Sequence, residues 1–359
     1  VKKPIPTEDS KFSVNSKDYK YLSMSYVLVP KDKETVDIAF DYTLTNRTFT
    51  NVPVQRNYRT NIYGSLLTNT ANFNVVIAPG FNDPDNNYEV LNAKGVSQLK
   101  DLLASGADLS KKDVIVDLNG ETMDSNIALN AHSVAVENGT VDASQLSAKA
   151  EEGVTLRNVK LTGSFPKATS NARVIVETAG DVVVDGLDYT GATDGYNPIE
   201  INLRNVVSKN VTVKNCKFAK FTNNAMTVFG MAEGGVLNIE NNTFDLGKTS
   251  EAVRISNKTN TKFTINVKDC SYTYPADAAG QWVGFFLFED YTSKTAEEAA
   301  AMQFKNLTVN VDNVTFEGAK VTKLNLFTGA RNQFACMCYD KLPGSVVTDA
   351  THFPTFNFK

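Results

Sequence analysis

The chain has 359 residues, with 36 Lys and Arg against 40 Asp and Glu and a net charge of −4. That near-balance excludes a nucleic-acid protein, which needs a basic stripe to neutralise phosphates, and no apolar run reaches the roughly eighteen residues of a membrane-spanning helix. With 42% hydrophobic and 21% charged residues the composition is globular, while two histidines, one tryptophan and four cysteines leave little material for metal cages or histidine-based catalysis.

Residues 1–83 read as a β module. Tyr19–Val29 is rich in Tyr, Leu, Met and Val, Thr35–Thr45 alternates through Val36, Ile38, Phe40, Tyr42 and Leu44, and Phe73–Ile77 supplies another short β run. Asn82-Asp-Pro-Asp-Asn-Asn87 is a turn-rich linker and marks the predicted domain boundary. After it, Val96, Leu99, Leu102 and Leu103 share one helical face before Ser105-Gly106 ends the pattern, which predicts a capping helix near 94–105.

From residue 114 a repeat takes over, of the form apolar-x-apolar-x-Asn/Gly/Asp-x-x-apolar. Its copies end at Met123, Val141, Leu161, Tyr189, Phe218, Phe244, Tyr272 and Phe316, with the Asn/Gly/Asp place taken by Asn138, Asn158, Gly186, Asn215, Asn241, Asp269 and Asn313 in the last seven. Each apolar pair predicts a strand with one buried face, and the next residue predicts a left-handed bend that β-branched residues resist. One such turn cannot bury its own face, so the copies must stack, as in a parallel β-helix. Aligned asparagines would then bond to one another up the bend. A second strand set precedes most copies, through the pairs Val174/Val176, Ile201/Leu203, Met226/Val228, Val253/Ile255 and Phe285/Leu287.

Phasing those pairs predicts an outward groove. Asn202, Thr227, Arg254 and Phe286 fall in one column, Phe229 and Phe288 in the next, and Trp282 in a loop entering that face. Aromatic faces beside amide and guanidinium groups suit a sugar ring, and the guanidinium fork of Arg254 favours an acidic one. An outward Phe286 predicts that Phe286→Ala weakens glycan binding by about 1–2 kcal/mol without unfolding the protein. Glu177 and Glu200, one alternate position apart on neighbouring tiers, form the best carboxylate pair, with Arg173, Arg204 and Arg254 near enough to bind them as a surface ion network. The repeat therefore predicts no catalytic residue, the alternative being Glu177, Glu200 and Arg254 acting together. No metal site and no cofactor are predicted.

The remaining chemistry is sparse. Cys216 and Cys270 fall in one inward column with Asn242 between them, beyond disulfide reach, and read as buried fillers. Cys336 and Cys338 point to one face of a strand. His132 and His352 have no matched Ser or Cys motif and read as solvated or capping residues. Ser293–Gln303 predicts a short helix inserted between tiers, and the phenylalanines at 334, 353, 356 and 358 predict a cap over the open end.

The repeated block, over about residues 88–330, resembles the pectin-lyase-like right-handed β-helix superfamily. Asn51-Val-Pro-Val-Gln-Arg-Asn-Tyr-Arg-Thr-Asn-Ile-Tyr-Gly-Ser-Leu-Leu-Thr68 resembles the last strands of fimbrillin-like β-sandwich modules in Bacteroides-type surface lipoproteins. The expected fold is thus all-β: a small sandwich-like module over 1–83, then a right-handed parallel β-helix over 88–359 with its capping helix and C-terminal cap. Together the resemblances imply an exported protein at the outer-membrane surface of a Gram-negative bacterium, lipid-anchored through a segment removed ahead of Val1. Polygalacturonase-type members carry Asn-Thr-Asp, Asp-Asp, Gly-His-Gly and Arg-Ile-Lys motifs, of which only Arg254-Ile-Ser256 is similar here, and the aspartate cluster of pectate lyases is missing. The expected function is a cell-surface adhesin or glycan-binding protein without catalysis, the alternative a polysaccharide lyase or glycoside hydrolase acting on an acidic polysaccharide. Its partner would be a polysaccharide or a host or cell-surface glycan.

Overall fold

A computed structural model describes residues 11–14, 17–20, 33–42, 45–55, 58–63, 74–79, 89–165, 172–193, 197–203, 210–248, 251–258, 260–278, 283–290, 303–326, 333–337, 347 and 349–359. The protein is all-β, with a single α-helix, Gly95–Ala104, among these residues. No described helix is long and apolar enough to cross a membrane. The chain separates into two compact units, 1–91 with 111–113, and 92–110 with 114–359.

The first unit is built from antiparallel pairs. Lys11–Val14 pairs with Lys17–Lys20, Lys33–Tyr42 with Thr45–Gln55, and Tyr58–Tyr63 with Asn74–Pro79. The long pair is bulged between Val36 and Ile38. There the Asp37 carboxylate accepts a hydrogen bond from the Asn51 N–H at 2.9 Å, and Asn51 takes a left-handed φ of 56°. Val52 and Val54 of its second strand are buried, as alternation requires. The predicted linker 82–87 and most of Tyr19–Val29 lie outside the described residues.

The second unit is a set of parallel ladders. Ala172–Thr178, Asn197–Asn202, Asn224–Phe229, Glu251–Ser256, Gly284–Glu289 and Ala335–Met337 form the first, each strand pairing with the next. Asp181–Asp185, Asn210–Lys214, Val236–Glu240, Thr264–Lys268, Thr308–Asp312 and Thr355–Phe358 form the second. Asp188–Thr193, Lys217–Ala219, Thr243–Asp245, Ser271–Thr273 and Thr315–Phe316 form the third. Leu146–Ser164 is long enough to pair with a strand of all three. A strand's neighbour in a ladder is therefore one whole repeat away in sequence, which is why the repeat had to be stacked to bury its apolar pairs.

The bends between the second and third ladders are left-handed. Asn138, Asn158, Gly186, Asn215, Asn241, Asp269 and Asn313 have φ of 56°, 50°, 75°, 57°, 52°, 53° and 51°. Their amides bond up the stack: Asn158 Nδ2 donates to Asn138 Oδ1 at 3.1 Å and Asn241 Nδ2 to Asn215 Oδ1 at 2.8 Å. Gly186 has no side chain to join in, and Asn215 Nδ2 reaches Asp185 Oδ1 instead at 2.6 Å. The helix begins at Gly95, where the Val96 N–H donates to the Glu121 carboxylate at 2.8 Å. An anion at a helix N-terminus is favourably placed against its dipole.

The C-terminal residues extend the ladders. Ala335–Met337 and Thr355–Phe358 add parallel strands, while Phe334 and Phe353 are buried and Phe356 and Phe358 stay half-exposed. Residues 291–302, with most of the predicted inserted helix, lie outside the described residues.

Candidate functional site

The outward side of the first ladder carries the residues that the repeat pattern selected. Two columns form it. One runs Ile175, Glu200, Thr227, Arg254 and Leu287, the other Glu177, Asn202, Phe229, Ser256 and Glu289. Asn202 therefore lies directly between Glu177 and Phe229, and Glu200 sits two residues before it. Glu177, Glu200, Asn202, Phe229 and Arg254 are all half-buried. Lys149 pairs with Glu177, its Nζ 2.7 Å from the carboxylate.

The lower part of the face is closed. Thr227 is 1% exposed, and its Oγ1 has no hydrogen-bond partner among the described residues. Arg254 Nη2 is paired with the Glu289 carboxylate, whose other oxygen accepts from Ser256 Oγ at 3.0 Å. The guanidinium is thus already occupied by an acid, and its preference for an acidic sugar falls away.

Of the aromatics predicted to line the groove, Phe229 faces outward, whereas Phe286 and Phe288 do not. Phe286 and Phe288 pair with Val253 and Ile255, are 0% exposed and face the interior, where their rings stack at 5.3 Å. Thr227 faces outward as expected but is buried. Trp282 and Arg204 lie outside the described residues. The phase error has a simple origin. Phe285-Phe286-Leu287-Phe288 is apolar throughout, so alternation cannot show which residues turn inward, and a slip of one residue exchanges the faces. Choosing Ile201/Leu203 in place of Ile199/Ile201 shifted that strand by two, which kept the face and changed the neighbours.

Arg173, expected beside the carboxylates, is fully buried. Its Nε donates to Ser144 O at 3.0 Å, Nη1 to Gly163 O at 3.1 Å, and Nη2 to Val141 O at 3.1 Å and to Thr162 O. The Phe165 ring lies 5.8 Å from the guanidinium carbon. Burial lowers its pKa, opposed by Tyr189 and Asp142. Clustered carbonyls from successive bends, invisible as a motif, are what hold it there.

Cys216 and Cys270 occupy the inward column with Asn242 between them, all three buried. Asn242 satisfies itself by accepting from the Cys216 N–H at 2.7 Å and donating to Val213 O at 2.8 Å. Burial pushes both thiols up from 9.0 to about 12. At pH 8 neither should react with an aromatic disulfide reagent until the protein is unfolded, and fast labelling of the native protein would contradict their placement. Because folding raises these pKa values, the stability they carry is complete below about pH 9 and drains away as pH rises toward 12. Cys336 is buried too, and Cys338 lies outside the described residues. His132 is 9% exposed rather than solvated, with Nε2 3.9 Å from Glu152, and His352 Nε2 is 3.8 Å from Asp349. Among the described residues no group of three His, Cys, Asp or Glu is placed to hold a metal ion.

The outward side of the second ladder carries a feature the repeat template passed over. Asn238, Asn266, Asn310 and Asn357 stand in one column, and the amides of the last three each donate to the preceding Asn side chain at 2.9 Å. The signal was the x between the apolar pair, which reads Asn in three copies of the repeat and again in Phe356-Asn-Phe358. Beside it Glu137, Arg157, Asp185, Lys214, Glu240, Lys268 and Asp312 alternate in sign up the ladder.

A family of unknown function (DUF6562) matches the chain over residues 3–119. The match covers most of the first unit's residues, the helix and the strand Lys112–Asp117, and stops before the strands of the three ladders. No curated protein and no solved structure matches the chain.

Proposed function

We propose that the protein is an exported, non-catalytic glycan-binding or adhesive protein of a Gram-negative cell surface. In this reading the three ladders wind as a right-handed parallel β-helix like that of pectin-lyase-like proteins, following a fimbrillin-like β module in the sequence, and a lipid anchors the chain to the outer membrane. The observation that supports it is the register placing Asn202 beside Phe229, both half-buried on an outward face, with Glu177 and Glu200 alongside. An aromatic face takes the apolar side of a sugar ring, while the amide and carboxylates accept its hydroxyls. Two carboxylates and an already paired Arg254 favour a neutral sugar over an acidic one. On a glycan array, Phe229→Ala and Asn202→Ala should each weaken binding about tenfold, the effect of roughly 1–2 kcal/mol at a stacking contact. Binding unchanged in both variants would remove this site.

A hydrolase or lyase using Glu177, Glu200 and Arg254 is the second reading. It is favoured by one fact: the register sets Glu177 and Glu200 on neighbouring strands two residues apart, with α-carbons about 8 Å from each other. That spacing suits two carboxyl groups flanking a glycosidic bond. The Lys149–Glu177 and Arg254–Glu289 pairs count against it. Release of reducing ends from acidic or neutral glycans, lost in Glu200→Gln, would establish catalysis and displace the binding-only reading.

A further inference from the structure

The outward side of the second ladder is a polar face that runs through six tiers in continuous register. Its charge row reads Arg157, Asp185, Lys214, Glu240, Lys268 and Asp312, each in register with the next. The row is open: the side chains of Arg157, Lys214 and Lys268 are 47%, 38% and 57% exposed. Two residues before each charge stands a second, half-buried row. It is Thr155, Val183 and Thr212 in the first three tiers and Asn238, Asn266 and Asn310 in the last three. Parallel pairing holds these groups at intervals of about 4.8 Å.

Reversed end for end, the charge row becomes its own opposite, every cation standing where the forward row has an anion. The second row behaves in the same way, reversal setting the hydroxyls of Thr155 and Thr212 against the amides of Asn310 and Asn238. We propose that this face docks a second copy of the chain, the two copies packing face to face and antiparallel about a two-fold axis between the tiers of Lys214 and Glu240. The proposal is independent of the glycan reading. Arg157 then meets the partner's Asp312, Asp185 the partner's Lys268, and Lys214 the partner's Glu240. Each contact occurs twice, as an isologous interface requires. Facing sheets lie about 10 Å apart, a gap that a Thr and an Asn side chain span with one hydrogen bond. The amide donates and the hydroxyl oxygen accepts, so no two acceptors are left opposed. Val183 meets Asn266, whose amide is already bonded within its own column, donating to Asn238 Oδ1 and accepting from Asn310 Nδ2, both at 2.9 Å. A slip of one tier would set every charge against its like, so the charges select the register. Six tiers bury on the order of 1,000 Å² in all, the small end for a specific interface, so the association is weak and depends on its ion pairs.

Sedimentation equilibrium of the whole chain tests this. At about 0.1 mM in low salt the wild type should show the mass of two 39.2 kDa chains, and in about 1 M salt, where charges are screened within about 3 Å, that of one. Lys214→Glu sets carboxylates against each other twice across the axis, and Glu240→Lys does the same with ammonium groups. Each variant should sediment as a single chain while keeping the wild-type circular dichroism. An equal mixture of the two should recover the dimer, because positions 214 and 240 of the two chains then carry opposite charges in both contacts. If a reversed charge unfolds the chain, the neutral Glu240→Gln takes its place and should weaken dimerisation about tenfold, two ion pairs being lost. A monomeric wild type in low salt, a dimer that persists in high salt, a folded Lys214→Glu that dimerises, a mixture that stays monomeric, or a Glu240→Gln that associates as tightly as the wild type would each overturn the proposal.

Discussion

Replacing Phe286 with alanine should cost about 3–5 kcal/mol of unfolding free energy and lower the melting temperature by roughly 10 °C. The ring is fully buried, 4.9 Å from Phe285, 5.3 Å from Phe288 and 5.7 Å from Phe334. Truncation there opens a cavity among aromatics that parallel strands on both sides hold in place, so little collapse can fill it. Phe229→Ala, on the outward face of the same ladder, should change stability far less while weakening ligand binding. Urea unfolding of both variants separates the two roles. A loss below about 1 kcal/mol for Phe286→Ala would contradict its inward placement.

Arg173→Met should destabilise the protein by a similar amount, on the order of 3–5 kcal/mol, although it removes a charge from a hydrophobic interior. The guanidinium serves the carbonyls of Val141, Ser144, Thr162 and Gly163, which belong to successive bends. Without it the carbonyls of Val141, Ser144 and Gly163 each lose a donor at once, while Thr162 O keeps the Ala143 N–H at 2.9 Å. Arg173→Lys should recover little, because an ammonium cannot span carbonyls that a planar fork reaches together. A denaturation midpoint near that of the wild type in Arg173→Met would show that the bends find other donors.

The parts of the site that were legible and those that were not differ in sequence context. Glu177, Asn202 and Arg254 alternate with aliphatic residues, so their outward direction could be read directly. In Phe285–Phe288 every residue is apolar, and both candidate phases satisfy the same template. Arg173 also alternates with apolar neighbours, yet it is the second residue of its strand and lies among the carbonyls of Val141, Ser144, Thr162 and Gly163, which decide its direction. Glu177 and Glu200 were recognisable as a pair, whereas the partners Lys149 and Glu289 became apparent only once strands a full repeat apart were in register.

By itself the sequence determined the β character of the chain, the helix near 95–104, the left-handed bend within each repeat and the inward column of Cys216, Asn242 and Cys270. Those follow from short-range rules: alternation sets a strand's buried face, and Gly, Asn and Asp take a positive φ most readily. Tertiary structure alone decided which residue meets which across the ladders. A strand's partner lies about one repeat away in the chain, and repeats of unequal length leave several registers open to a local pattern. Side-chain rows that become complementary only when stacked close that choice: the amides of Asn238, Asn266, Asn310 and Asn357, and the alternating charges from Glu137 to Asp312. Omitting one tier would bring like charges together and break the amide column, so the register is an energy of the whole stack and is written in no single repeat.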